Sequence, residues 1–365
     1  MRNKLIKVLP YIFGALVGLI LGLNGLYIDI QSLLITTISI VLVAVVEIFV
    51  FAIIHELSHG FTAEKNGLKF TVLYLGPFAF KRENKKFKKI KGLTKQLIYL
   101  GRAQIDNFEI LNKDDIEKAK KSWIKSLKAG PISDLILSII VIVLGLIFKS
   151  YILIISTALV SLFMCLPSYI MGDGQHIKLM KKDKIFSNVI LYTYTIAGNT
   201  PVSEESKLFL LGKVENDISN SEANEDNIIS LALAAQSLYI DGILKNKIDL
   251  PQSMDDIVEK TIKSKNKFLK KQIESSYYRG LINSAIMYEV IINNNKKKAF
   301  KLYKYVKKQK HNLPGEKLDF YRVQHILNIA DRKGEIENEN LMNPIFKGCQ
   351  GIENIERRIN KIILE

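Results

Sequence analysis

Cysteine is nearly absent from this chain. Cys165 lies in an apolar run and Cys349 near the C-terminus. Two thiols so far apart give no disulfide framework, and nothing requires an oxidising compartment. Histidine is also scarce, with five in 365 residues, so two placed close together stand out. Acid is short as well: 36 Asp and Glu against 52 Lys and Arg, a net charge of +16. A basic surplus suits an anionic membrane face or nucleic acid. Nothing in the sequence marks a recognition helix, and the membrane segments described next argue against a general nucleic-acid role.

The most informative deficit is of charge within the first 175 residues. No charged residue occurs from Val8 to Ile28, from Leu135 to Phe148 or from Tyr151 to Gly172, and only Glu47 occurs from Ile30 to Ile54. A bilayer core needs roughly 20 apolar residues per helix, which predicts four transmembrane helices at about 8–28, 33–56, 131–148 and 151–171. The basic start MRNKLIK resembles that of a signal peptide. The apolar part is too long for one, however, and no Ala-x-Ala site follows. Basic residues fill the N-terminus and the run KRENKKFKKIK at 81–91, seven of eleven, while the other two connections have few. This alternation predicts a multi-pass protein of the cell membrane with both termini and the long loop in the cytoplasm. The basic run then faces anionic headgroups.

Against this background residues 51–60 read FAIIHELSHG. On a helix His55 and His59 project from one face and can share one zinc ion, with Glu56 able to act as base toward water there. Polar groups at the edge of a span are expensive unless they work. A third ligand has to come from another helix, and LPSYIMGDGQHI at 166–177 offers Asp173 and His176. Asp173 is the favoured one: it ends the fourth span between two glycines, and a capping carboxylate would prefer a helix N-terminus. Glu47 could support the ligands, line a water path, or simply bond a neighbouring helix. Asp134 is expected to cap the start of the third span. His311 and His325 read as surface or core residues.

HELSHG at the end of a span, KAGPISDLIL at 128–137 and the later LP…DG together resemble the site-2 protease family of intramembrane zinc metallopeptidases, over roughly residues 33–180. The resemblance implies one Zn2+ held by His55, His59 and Asp173, with Glu56 as catalytic base. It implies a zinc metalloendopeptidase that hydrolyses a peptide bond in a transmembrane or signal-peptide-derived segment near the cytoplasmic face. FTVLYLGPFAF at 70–80 is similar to the membrane-associated β-hairpin that follows HExxH in the family. The chain departs from the family at the second motif: Met164 or Cys165 stands where an asparagine is usual, the spacing from proline to aspartate is one residue longer, and Gln175 replaces a glycine. No PDZ-like domain is evident. A catalytically idle accessory or scaffold protein of the same fold is the alternative, and a metal-free transporter or peptide-immunity protein using Glu47 and Asp173 is a third reading.

From about Lys178 the composition turns polar and helical periodicity recurs. The expected fold class is an all-α membrane protein with a small β-hairpin, followed by a soluble α-helical C-terminal domain. The domains are a transmembrane metalloprotease at 1–180 and a cytoplasmic helical domain at 181–365, for which helical-hairpin repeats would be suitable and which would have a protein partner of its own. One long stretch, 255–291, is expected to be interrupted at Gly280.

Overall fold

The computed structural model describes residues 30–90, 101–263, 276–309, 311, 314–338 and 348–365. The span expected at 8–28 lies outside the described residues. What is described is mostly helical, with one small antiparallel sheet. It divides into two compact units: one takes the described residues up to Phe51 together with Asp134–Leu166, the other Ala52–Ser133 and Pro167–Glu365. The boundary expected at residue 180 therefore falls within the second unit.

In the first unit, the early part of α1 (Ile30–Lys65) carries Glu47. The apolar side chains around that acid face outward, with Leu42 62% and Val46 63% exposed. Helix α3 (Tyr151–Val160) starts from Ser150, whose Oγ accepts the Leu153 amide. Glu47 itself is buried and bonded to α3: Thr157 Oγ1 and Ser156 Oγ donate to its Oε1 at 2.7 and 3.1 Å. Its role in this unit is thus a bond between neighbouring helices. After α3 the chain widens into a π-helical turn, Ser161–Cys165, closed by the Leu166 amide on the Ser161 carbonyl. Pro167, lacking an N–H, follows directly, and the turn falls just before the stretch where the motif spacing is unusual.

α2 (Lys113–Ile147) starts well before the span expected at 131, because Lys113–Ala129 is itself helical. Asp114 and Asp115 sit in its first turn, where acids favour a helix, and the Asn112 side chain accepts the Asp115 amide. Pro131 lies inside the helix. Asp134 is consequently a buried interior residue and not the expected cap.

The second unit holds the sheet, in the order β3-β2-β1-β4, from β1 (Lys69–Leu75), β2 (Phe78–Glu83), β3 (Lys86–Lys89) and β4 (Gly101–Asp106). The expected hairpin is the β1–β2 pair, with Val72 opposite Lys81 and Leu75 opposite Phe78. Two further strands extend it, and the basic run forms β2 and β3 instead of an open loop. The run also loses a charge to the interior. Arg82 forms a two-pronged pair with Glu64 of α1, both bonds 2.7 Å, beneath the rings of Phe61, Phe70 and Phe87. Phe70 occupies the space a side chain at Gly60 would need, so β1 lies directly on α1 just past the HELSH motif.

Short helices α4 (Leu166–Met171) and α5 (Asp173–Lys182) lead to α6 (Lys184–Ala197), α7 (Glu204–Ser219), α8 (Ile228–Lys245), α9 (Ser253–Lys263), α10 (Ser276–Ile291), α11 (Lys296–Val306), α12 (Pro314–Ile326), α13 (Lys333–Glu337) and α14 (Gln350–Leu364). Gly280 lies within α10 and does not interrupt it. One buried cluster runs from Leu68, Ile105 and Trp123 to Leu191, Leu210, Leu231 and Ile359, so these helices share a core with the sheet and with α2.

Among the described residues, four helical stretches are long and apolar enough to cross a membrane: Leu34–Lys65, Lys113–Ile147, Tyr151–Lys182 and Ile228–Lys245. In the first three most apolar side chains are uncovered by protein, as a lipid-facing surface requires. In α8 61% of the window is buried, and Asp241 bonds Tyr192 there, which is the pattern of a core helix.

Candidate metal centre

His55 and His59 lie one turn apart on α1, with ring centroids 4.6 Å apart. Asp173, the first residue of α5, completes a trio whose ligand atoms all lie within 4.8 Å of one another. The Nε2 atoms are 2.9 Å apart, and Asp173 Oδ2 is 3.1 Å from His55 Nε2 and 3.3 Å from His59 Nε2. His176, the other sequence candidate, lies outside the trio, with its ring beside Phe186. His311 stacks on Phe320 and His325 faces Asp331, neither in the trio.

The donor set fits a zinc ion. Bonds of about 2.1 Å in a tetrahedral site put ligand atoms about 3.4 Å apart, close to the spacings found. Each imidazole must present an unprotonated nitrogen. His59 does so because its Nδ1 donates to the Ser126 carbonyl at 2.7 Å, which leaves Nε2 as the acceptor aimed at the trio. The Ser126 hydroxyl returns a bond to the His59 carbonyl at 2.9 Å. Ser168 Oγ donates to Asp173 Oδ2 at 3.0 Å and orients that carboxylate. Room is kept by Gly130 of α2: a Cβ there would stand 2.4 Å from His59 Nε2 and 2.6 Å from His55 Nε2.

Glu56 follows His55 and turns toward β4. Its Oε2 accepts the Ala103 amide at 2.6 Å, and Gly101 packs against its side chain. Ala103 faces Leu73 in the β1–β4 register, so an amide on the outer edge of the sheet holds the carboxylate.

The sequence pointed to the three ligand candidates and to Glu56 as a candidate base, and it missed the groups that hold them. Gly130 stood inside the recognised AGP stretch and Ser168 inside LPSYIMGDG, so both carried some signal. The Ser126 carbonyl and the Ala103 amide carried none, since every residue of this kind has them.

Comparison with curated proteins and with solved structures finds no match. Comparison with protein families finds Peptidase family M50 over residues 43–346. That span holds the HELSH helix, the sheet, Asp173 and most of the C-terminal helices, and family M50 peptidases are zinc-dependent in general. With its membrane-spanning helices and its His-His-Asp trio, the chain belongs to peptidase family M50, the site-2 protease family.

Proposed function

We propose that this membrane protein is a zinc metalloendopeptidase that cuts a transmembrane or signal-peptide-derived segment near the cytoplasmic face. The observation carrying this reading is the convergence of His55, His59 and Asp173, within 4.8 Å, beside a carboxylate one residue from the first ligand. When bound, zinc supplies a Lewis acid that acidifies water and polarises a carbonyl. His55 and His59 give neutral nitrogens to hold it, and Asp173 gives the single anionic ligand. Glu56 takes a proton from the attacking water and passes it to the leaving amine. The Ala103 amide keeps Glu56 Oε2 in one orientation during both transfers. A substrate helix must unwind locally, because its own hydrogen bonds shield each peptide bond.

Both termini and the C-terminal helices are assigned to the cytoplasm by the distribution of basic residues, and residues 181–365 to a soluble portion that engages a further protein. A catalytically idle relative would have no use for a base, so the placement of Glu56 favours the enzyme. Glu56→Gln should keep about one zinc per chain and lose cleavage of a transmembrane test peptide by about a thousandfold, within the range that general-base catalysis contributes. Alanine at His55, His59 or Asp173 should lower zinc content, whereas alanine at His311 or His325 should not. Wild-type rates in Glu56→Gln, or equal zinc in all five alanine variants, would refute the assignment.

A further inference from the structure

β4 ends at Asp106, which is 1% exposed. Its Oδ2 accepts the backbone amides of Asn199 and Thr200 at 2.8 and 2.9 Å, and Gln104 Nε2 donates to its Oδ1 at 3.2 Å. Those two amides belong to the turn between α6 and α7. The residues that follow are tied to the same pair of helices. Asn107 Nδ2 donates to the Leu191 carbonyl and to Thr195 Oγ1, while its Oδ1 accepts from Trp123 of α2. Glu109 accepts the amide and the hydroxyl of Ser203, and Ser206 Oγ accepts the Ile110 amide.

The other end of this strand touches Glu56. Ala103 and Asp106 are three residues apart, about 10 Å of extended chain. A buried carboxylate is a costly way to close a turn, where a neutral acceptor would serve for packing alone. Its charge-assisted bonds are shorter and stronger than neutral ones, so they fix the end of β4 more firmly.

We infer that Asp106 is a positioning residue for Glu56: by pinning the end of β4 to the α6–α7 turn it holds the Ala103 amide on the Glu56 carboxylate, and the C-terminal helices thereby align the base. The inference rests on Glu56 being that base, but the contact can be read without any turnover.

The test uses the full chain in detergent micelles, with Asp106→Ala, Asp106→Asn and Ala103→Pro. In Asp106→Ala, hydrogen exchange at the Ala103 amide should rise at least about tenfold, while α8 stays protected. Asparagine retains an acceptor for the two amides but not the charge, so it should raise exchange less than alanine does, by about threefold. Unchanged exchange in the alanine variant, or equal disturbance by asparagine, overturns the proposal. With the transmembrane test peptide, kcat should fall about tenfold in Asp106→Ala, with KM within about twofold and zinc content unchanged. Proline at 103 removes only an outward amide, and its loss of kcat should not add to that of Asp106→Ala; additive losses also overturn the proposal. If alanine at 106 prevents folding, Asp106→Ser keeps one acceptor and should move exchange and kcat in the same directions. A wild-type chain that cuts nothing would refute the reading of the base, and exchange would still decide the positioning.

Discussion

Gly130 marks the point where a single residue decides whether the trio has room for an ion. Alanine there would place a Cβ within 2.6 Å of both imidazole Nε2 atoms. The rings must shift to admit the Cβ, with or without metal, and the roughly 1 kcal/mol by which a helix interior favours alanine over glycine offsets part of that cost, so the chain should still fold. Zinc affinity should nevertheless fall at least about tenfold, as for other disturbances of the groups around metal ligands. Metal titration alongside a melting curve separates the two effects, and undiminished zinc binding would contradict the geometry. A second residue-scale expectation concerns Cys349. Its thiol is fully buried, and burial, reinforced by the Asp106 charge, pushes its pKa from about 9 up to about 12. The folded chain then holds a proton that the unfolded chain releases between those values. The thiol's contribution to stability is complete below about pH 9 and lost as pH rises toward 12. Wild type should therefore lose thermal stability over that window more steeply than Cys349→Ala, and parallel curves for the two would disprove it.

Among the elements, the sheet differs most from what its sequence suggested. KRENKKFKKIK has the composition of a headgroup-facing loop, and Lys81 and Lys88 do sit outside, paired with Glu83. Arg82 is drawn inward by the Glu64 carboxylate and three aromatic rings, which clamps β2 to the end of α1. An ammonium can neither bridge both carboxylate oxygens in that geometry nor stack on the rings as a guanidinium does. Arg82→Lys should cost about 1–2 kcal/mol and should speed proteolysis within β2–β3; wild-type resistance would show that the clamp is unimportant. Composition reports average solvation and gives no sign of the clamp, because one buried guanidinium depends on Phe61, Phe70 and Phe87 arriving from three other elements. The long helices were legible for the opposite reason. Their apolar content is local, and only their ends were missed, as with Lys113–Ala129, whose charges masked a helix continuous with the span.

At the scale of the molecule, the C-terminal helices are built into the structure that carries the site. Leu68, Ile105 and Trp123 bury their side chains in the same cluster as Leu191, Leu210 and Leu231. Removing residues 185–365 would uncover that surface and delete the turn that holds Asp106. The truncated chain should bind less zinc than the full chain and accumulate poorly in membranes. Full zinc content after truncation would show instead that residues 1–184 fold as an independent domain.

The sequence alone determined the chemistry on offer and the membrane setting. Histidines one helical turn apart, a glutamate between them and uncharged runs of span length are all local patterns, and local patterns survive without a fold. The tertiary structure decided that Asp173 and not His176 meets the two imidazoles, that a carbonyl and an amide aim His59 and Glu56, and that the helices beyond residue 180 share a core with the sheet. Those outcomes depend on which surfaces bury one another. Backbone groups are common to all residues, and burial partners far apart in the chain leave no periodic trace in it.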